Sequence, residues 1–137
     1  MPRRVLVVED DVQLQVLAVR VLRTCGYVAI VAADGEAARR LSAVVPPPDL
    51  ILMGLALPDQ DGVDVTRALK AANPDLLIIA VSAHAMTSDR DRALAAGCDG
   101  FLTKPYQIDQ LVHVVRAALG ESDAAPSILP AGGSVRG

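Results

Sequence analysis

The sequence is poor in aromatic residues and has no excess of positive charge. Its 137 residues include two tyrosines, one phenylalanine and no tryptophan. That is too few for a base-stacking surface for single-stranded nucleic acid or for an aromatic flavin pocket. The 13 basic and 16 acidic residues give a net charge of -3. This argues against a partner such as duplex DNA that is bound mainly through its phosphate backbone. We therefore expect no nucleic-acid partner.

Long hydrophobic runs and paired cysteines are also missing. The longest apolar stretches, residues 50–57 and 76–81, are far shorter than the ~20 residues of a membrane-spanning helix. The N-terminus lacks the apolar segment and cleavage site of a secretory signal, so we expect a cytoplasmic protein without a membrane partner. Cys25 and Cys98 have no CxxC spacing and no nearby histidine, which favours buried, reduced thiols.

What is present is an alternation of short apolar runs with segments of helical length, typical of β-α units. The predicted strands are residues 5–8, 28–32, 50–53, 77–81 and 101–103. Strands one, three and four are continuously apolar, as in a parallel sheet covered by helices on both faces. The sequence therefore predicts an α/β fold with a doubly wound, five-stranded parallel sheet and five helices.

The predicted helices differ in how well their ends and apolar faces are marked. The first has Asp11 as its N-cap, the second covers about residues 35–45, the third 63–72, the fourth 88–96, and the last ends at Gly120. The fourth has only Ala93 and Leu94 as an apolar face, so we expect it to be loosely held. We predict one domain over residues 1–120, followed by a flexible tail or linker stub over residues 121–137, which is rich in small residues.

Chemistry-bearing residues stand at the carboxyl ends of the predicted strands, where open parallel sheets bind their ligands. These residues are Glu9, Asp10 and Asp11 after strand one, Gly54 at strand three, Ser82 at strand four and Lys104 after strand five. An acid pair beside a hydroxyl and a lysine suits a hard divalent cation together with a phosphoryl group. Each residue alone has a plainer interpretation, such as a helix cap or a surface charge.

Four segments carry a resemblance to a known family. They are VLVVEDD at 5–11, DLILMGLALPDQDG at 49–62, VSAHAM at 81–86 and GFLTKP at 100–105. Together they resemble the receiver domain of two-component response regulators, over about residues 3–120. The resemblance implies a flavodoxin- or CheY-like sandwich with strand order 2-1-3-4-5. It also implies that a histidine kinase or phosphotransfer protein donates a phosphoryl group to an aspartate at the end of strand three.

The same resemblance assigns a role to individual residues. Glu9 and Asp10 match the metal-binding acid pair, and Ala56 matches the position whose backbone carbonyl binds Mg2+. The remaining matches are Ser82 for the switch hydroxyl, Phe101 for the switch aromatic, and Lys104, followed by a cis peptide bond to Pro105, for the phosphate contact. A downstream protein target is then expected on the face formed by helix 4, strand 5 and helix 5.

The phosphoacceptor aspartate of the family falls on Gly54. Glycine has no carboxylate to form an acyl phosphate, so we expect no phosphorylation there and weak or absent Mg2+ binding. Asp59 and Asp61 are possible substitute acceptors, although both also suit a turn and a helix cap. Glycine in a strand also marks places where two backbones approach closely. Whether Gly54 is natural or introduced stays open, since one base change separates the codons.

Two functions are consistent with these residues. The first is a single-domain response regulator receiver in a two-component phosphorelay, lacking its acceptor carboxylate and not an enzyme. The second is a pseudo-receiver that binds a protein partner constitutively, independently of phosphorylation. A small metal-dependent phosphatase of related architecture also uses acids at strand ends, but it needs the nucleophile that Gly54 removes. His84 could control the access of water to a phosphoryl group, but without an acceptor there is no phosphoryl group for it to act on.

Overall fold

The computed structural model describes residues 2–84 and 87–121, in which five strands alternate with five helices. The strands are β1 (Arg4–Val8), β2 (Val28–Ala32), β3 (Leu50–Gly54), β4 (Ile78–Ser82) and β5 (Gly100–Thr103). The helices are α1 (Val12–Thr24), α2 (Gly35–Ser42), α3 (Gly62–Ala72), α4 (Thr87–Ala95) and α5 (Ile108–Ala118). Each of the predicted strands and helices is present in the structure.

The strands form one parallel sheet in the order β2-β1-β3-β4-β5, as the resemblance implies. Side chains of β1 alternate between the two faces. Leu6 and Val8 pack with α2, α3 and α4, whereas Val5 and Val7 pack with α1 and α5. All residues of β3 and β4 are buried, which explains why their sequences are continuously apolar.

Helix ends follow local chemistry, with one difference from the prediction. The Asp11 carboxylate accepts hydrogen bonds from the backbone N–H groups of Gln13 and Leu14, which caps α1 as expected. Helix α2 ends at Ser42 rather than near residue 45. Proline disfavours the α conformation of the residue before it, and in a helix the Pro46 ring would clash with the carbonyl four residues earlier, at Ser42, so the helix stops before the prolines at 46–48.

Helix α4 is anchored by small side chains. Ala93 is fully buried and Ala96, just beyond the helix, is also buried, whereas Leu94 is 47% exposed. The predicted contact through Leu94 is therefore wrong, because alanines at positions 93 and 96 are one helical turn apart and face the sheet together. The small buried side chains give α4 little apolar contact with the domain.

The two cysteines lie on opposite faces of the sheet. Cys98 is buried beside α3 and α4, and burial raises the pKa of its thiol. Cys25 packs on the α1 and α5 side but is only half-buried, so the prediction that it is buried is wrong. It is the C-cap residue of α1 and is followed by Gly26, whose φ is 92°.

Residues next to β1, β2 and α5 meet at the end of the sheet where the strands begin. The Tyr27 hydroxyl donates a hydrogen bond to Glu121 at 2.5 Å, and Glu121 also lies 3.7 Å from Arg3. Burial and the Glu121 carboxylate raise the pKa of Tyr27. The rest of the predicted tail, residues 122–137, lies outside the described residues. Within the described part of the chain, no helix is long and apolar enough to cross a membrane.

Candidate functional site

The carboxyl ends of β1 and β5 bring Glu9 and Lys104 into direct contact. The Lys104 ammonium lies 2.6 Å from Glu9 Oε1, and the Glu9 side chain is only 8% exposed. The other Glu9 oxygen accepts a hydrogen bond from the Asp11 backbone N–H. The Lys104 backbone N–H donates to the Ser82 carbonyl at 2.8 Å, which fixes β5 beside β4. Two of the predicted site residues therefore form an ion pair at the rim of the sheet. The Lys104–Pro105 peptide bond is cis, as expected.

The residues expected to hold Mg2+ form an incomplete ligand set. Both Asp10 and Ala56 are exposed, and Glu9 is engaged by Lys104. Among residues 2–84 and 87–121, no group of three or more acidic, histidine or cysteine side chains is arranged to hold a metal ion. Mg2+ demands near-ideal octahedral coordination by oxygen atoms. The side chains present do not fit a tightly held Mg2+ ion.

Gly54 lies at the end of β3, between β1 and β4. A Cβ atom at this position would lie 2.8 Å from the Val8 carbonyl oxygen, closer than real Cβ contacts. Gly54 does not adopt the left-handed conformation that only glycine tolerates well. The space for a side chain at position 54 is therefore limited by the backbone of β1. This agrees with the second interpretation of Gly54, in which the glycine marks a close approach of two strands.

Ser82 at the end of β4 is buried and hydrogen-bonded toward α4. Its hydroxyl donates to Asp89 Oδ2 at 3.1 Å and accepts from the His84 backbone N–H at 3.0 Å. The hydroxyl expected to act as a switch is thus engaged by a carboxylate of α4. Sequence reasoning missed Asp89, whose only signal was an acid in the first turn of a predicted helix.

A cavity of about 520 Å3 opens at this rim, between the loop after β3 and the start of α4. Ser82, His84 and Asp89 line one part of it, and residues of the loop from Leu55 to Asp61 line another. His84 is exposed and borders this cavity, whose lining does not include Gly54. Its charged lining residues are three carboxylates and one arginine, Arg92, which the sequence did not single out.

Asp61 is occupied by two structural contacts. One carboxylate oxygen accepts the Val63 backbone N–H at 2.8 Å, which caps α3, and the other lies 2.6 Å from Arg92. Partial burial alone would raise the pKa of Asp61, but hydrogen bonds from Arg92 and Val63 lower it. Asp61 is therefore the cap of α3, as its turn sequence suggested, and it is also an ion-pair partner of Arg92, which the sequence did not indicate.

Asp59 is likewise engaged, in this case by α2. Its carboxylate accepts hydrogen bonds from the backbone N–H groups of Gly35 and Glu36 at 2.8 and 3.0 Å. The bond from Gly35 is the main reason that the pKa of Asp59 is lowered. The side chain of the next residue, Gln60, accepts hydrogen bonds from Arg39 of α2. Neither acid of this loop stands free as a substitute acceptor.

Phe101 and β5 belong to the face on which a downstream target is expected. The Phe101 ring is half-buried, with the Arg90 guanidinium 5.9 Å from its centre. A groove of about 640 Å3 runs along β5 and α5. It is lined by Phe101, Leu102, Thr103, Pro105, Asp109, Gln110, Val112, His113 and Val114. This arrangement leaves one edge of the sheet open to another molecule.

The fold and the rim residues together define a receiver module. Residues 5–116 match the family described as the response regulator receiver domain. The chain therefore belongs to the receiver domains of response regulators in two-component signalling. Members of this family are generally signalling modules rather than catalysts, bind Mg2+ at the phosphorylation site and interact with histidine kinases or phosphotransfer proteins.

Particular relatives support the same family. The chain is 40% identical over 116 residues to the transcriptional regulatory protein PrrA of Mycobacterium tuberculosis, covering 85% of this chain and 49% of the relative. It is 38% identical over 128 residues to the DNA-binding response regulator MtrA of Mycobacterium leprae, covering 93% and 56%. The chain thus spans about half the length of the curated relatives it matches. Their names describe DNA-binding or transcriptional regulators, so the absence of a nucleic-acid partner here stays a prediction.

Solved structures agree with the fold. The receiver domain of the Francisella response regulator 1452 superposes with a TM-score of 0.80 at 29% identity, covering 86% of this chain and 97% of that one. The signal receiver domain of a putative Luxo repressor protein from Vibrio parahaemolyticus gives 0.82 at 28% identity, covering 88% and 92%. The flavodoxin- or CheY-like architecture predicted from the sequence is confirmed.

Proposed function

We propose that this chain acts in two-component signalling as a receiver that does not accept a phosphoryl group at the usual position. The observation that carries the proposal is the glycine at the carboxyl end of β3, the position to which the resemblance assigns the acceptor aspartate of the family. Without a carboxylate at position 54 no acyl phosphate can form there. Asp59 and Asp61, the nearest acids of the following loop, already accept hydrogen bonds from helix termini.

The proposal extends to the metal and to the contacts of Lys104. A receiver lysine in this position is expected to face the phosphoryl group, but here Lys104 neutralises Glu9 at 2.6 Å. A divalent ion at Glu9 and Asp10 would have to compete with that ammonium group and would lack a third carboxylate. Weak Mg2+ binding, through Glu9, Asp10 and the Ala56 carbonyl, follows from these contacts.

The proposed partners are those of a receiver. A histidine kinase or phosphotransfer protein would dock at the rim, and a downstream protein would bind the face formed by α4, β5 and α5, where Phe101 borders the open groove. We place the receiver in residues 1–120 and treat residues 121–137 as a separate segment. A cytoplasmic location, expected from the sequence, is part of the same proposal.

A second function is favoured by the approach of β1 to β3. Because the Val8 carbonyl would lie 2.8 Å from a Cβ at position 54, the space of an acceptor side chain is partly closed. A receiver with a closed acceptor site can still bind a partner through its outer face. The chain would then be a pseudo-receiver that binds its target independently of phosphorylation.

Intact-mass measurement separates these functions. The parent chain, Gly54→Asp and Gly54→Asn are each incubated with Mg2+ and a small-molecule acyl phosphate. Asparagine has nearly the same bulk as aspartate but no nucleophilic carboxylate, so it controls for crowding at the site. Circular dichroism of both variants shows whether they fold.

One phosphoryl adduct on Gly54→Asp alone supports a receiver that is silenced by one residue. No adduct on any folded form supports the pseudo-receiver. An adduct on the parent chain contradicts the proposal, and peptide mapping would then identify the acid that accepts it.

A further inference from the structure

Four polar side chains connect β4, α4 and the loop after β3. Arg92 on α4 lies 2.6 Å from Asp61 of the loop and 3.7 Å from Asp89 on its own helix. Asp89 in turn accepts the hydroxyl hydrogen of Ser82 at 3.1 Å. We refer to Asp61, Ser82, Asp89 and Arg92 as the Arg92 latch. It runs from the N-terminus of α3 to the end of β4 without involving position 54.

The Arg92 latch is important because α4 makes few buried apolar contacts with the rest of the domain. The buried apolar contacts of this segment come from Ala93 and Ala96, whose side chains are single methyl groups, and Leu94 is exposed. Small apolar contacts of this kind contribute little free energy. Polar contacts therefore make a substantial contribution to the attachment of α4.

We infer that Arg92 holds α4 against the loop after β3 and, through Asp89, keeps the Ser82 hydroxyl turned toward α4. This inference rests on the proposed receiver function, because it concerns the face through which such a receiver would signal. A receiver changes partners when the balance between two arrangements of that face shifts. The latch favours one arrangement by contacts present in the chain without a phosphoryl group.

Amide hydrogen exchange, followed by mass spectrometry, tests the latch in Arg92→Ala. Arg67→Ala is the matched control, because Arg67 also lies on an exposed helix face and pairs with Asp64 in an i,i+3 arrangement, as Arg92 does with Asp89. Both substitutions remove one charge and one pair within a helix. Both also introduce alanine, the best helix former, so faster exchange cannot come from lost helix propensity. Of these two arginines only Arg92 is hydrogen-bonded to the loop, whereas Arg67 acts on Asp61 only through its charge.

We expect peptides of α4 to exchange about 2- to 5-fold faster in Arg92→Ala than in the parent, the range for ion pairs exposed to solvent. Added salt should speed α4 exchange in the parent but not in Arg92→Ala, because the pairs are screened. An equal effect of Arg67→Ala on its own helix and Arg92→Ala on α4 would overturn the inference. An increase spread evenly over the sheet would also overturn it.

A double-mutant cycle gives a second readout. Asp61→Asn retains a residue that caps helices well but removes the charge facing Arg92. If the latch exists, Asp61→Asn and Arg92→Ala together speed α4 exchange no more than Arg92→Ala alone. Fully additive effects would show that the two residues act separately. Because no phosphoryl donor is used, these outcomes do not depend on whether position 54 accepts a phosphoryl group.

Discussion

Gly54→Ala tests whether the backbone of β1 closes the acceptor position. The substitution adds one methyl group and no charge, so it isolates the steric question from the chemistry. In the structure this methyl carbon would lie 2.8 Å from the Val8 carbonyl oxygen, whereas ordinary contacts begin at 3.4 Å. Either β1 or β3 has to move, and both are buried strands in the centre of the sheet.

The expected loss of stability comes from two opposing effects. Forcing an extra group into a packed core costs about 1–3 kcal/mol. Replacing glycine by alanine also restricts the unfolded chain, which stabilises a compatible site by about 0.4–1 kcal/mol. The first effect is larger here because the group that has to move is backbone. We expect Gly54→Ala to lower the free energy of unfolding by about 1–2 kcal/mol.

Urea denaturation measures this difference. With a slope of about 2 kcal/mol per M, the middle of the usual range for small proteins, the unfolding midpoint should fall by roughly 0.5–1 M. Gly100→Ala in β5 is the control, since its Cβ would meet the nearest atom at 3.5 Å, an ordinary contact. That variant should be at least as stable as the parent. If Gly54→Ala is equally stable with an unchanged slope, the strands leave room for a side chain and the pseudo-receiver loses its structural support.

Two further predictions concern titrating groups. Asp59→Ala should melt below the parent at neutral pH because the N-terminus of α2 loses its external cap. The pKa of Asp59 is lowered in the folded chain, so its contribution is present above its unfolded pKa and is lost as pH falls through the folded value. The gap in melting temperature between parent and variant should therefore close in acid, and a constant gap would contradict this role. Burial raises the pKa of both Tyr27 and Tyr106, so absorbance titration should show neither tyrosine ionising near pH 10 until urea unfolds the protein.

Much of the fold was predictable because its signals are local. Buried strands such as β3 are continuously apolar, and Asp11 and Asp61 precede helices in positions where carboxylates cap them. The end of α2 was misplaced because propensity alone does not say how far before Pro46 the chain leaves the helix. The apolar side of α4 was misjudged because two alanines, rather than the larger Leu94, face the sheet.

The site was predictable only as a set of neighbours. Strand ends placed Glu9, Ser82 and Lys104 at one rim, but their partners depend on distances that no sequence pattern states. Lys104 pairs with Glu9, and Ser82 pairs with Asp89. These pairings join residues seven or more positions apart. They depend on how β5 aligns with its neighbouring strand and on where α4 packs against the sheet. Their consequences for function therefore became visible only in three dimensions.

The contact among Arg3, Tyr27 and Glu121 brings the two ends of the described chain next to each other. Residues preceding β1 and following α5 meet at one point, on the end of the sheet away from Glu9 and Lys104. A short linker between positions 3 and 121, with the chain opened in the exposed turn at residues 74–75, would leave the order and register of the strands unchanged. A fluorescent label attached at the new linker or at the new chain ends would lie at the end of the sheet away from Glu9 and Lys104. It would therefore leave the rim accessible to a binding partner.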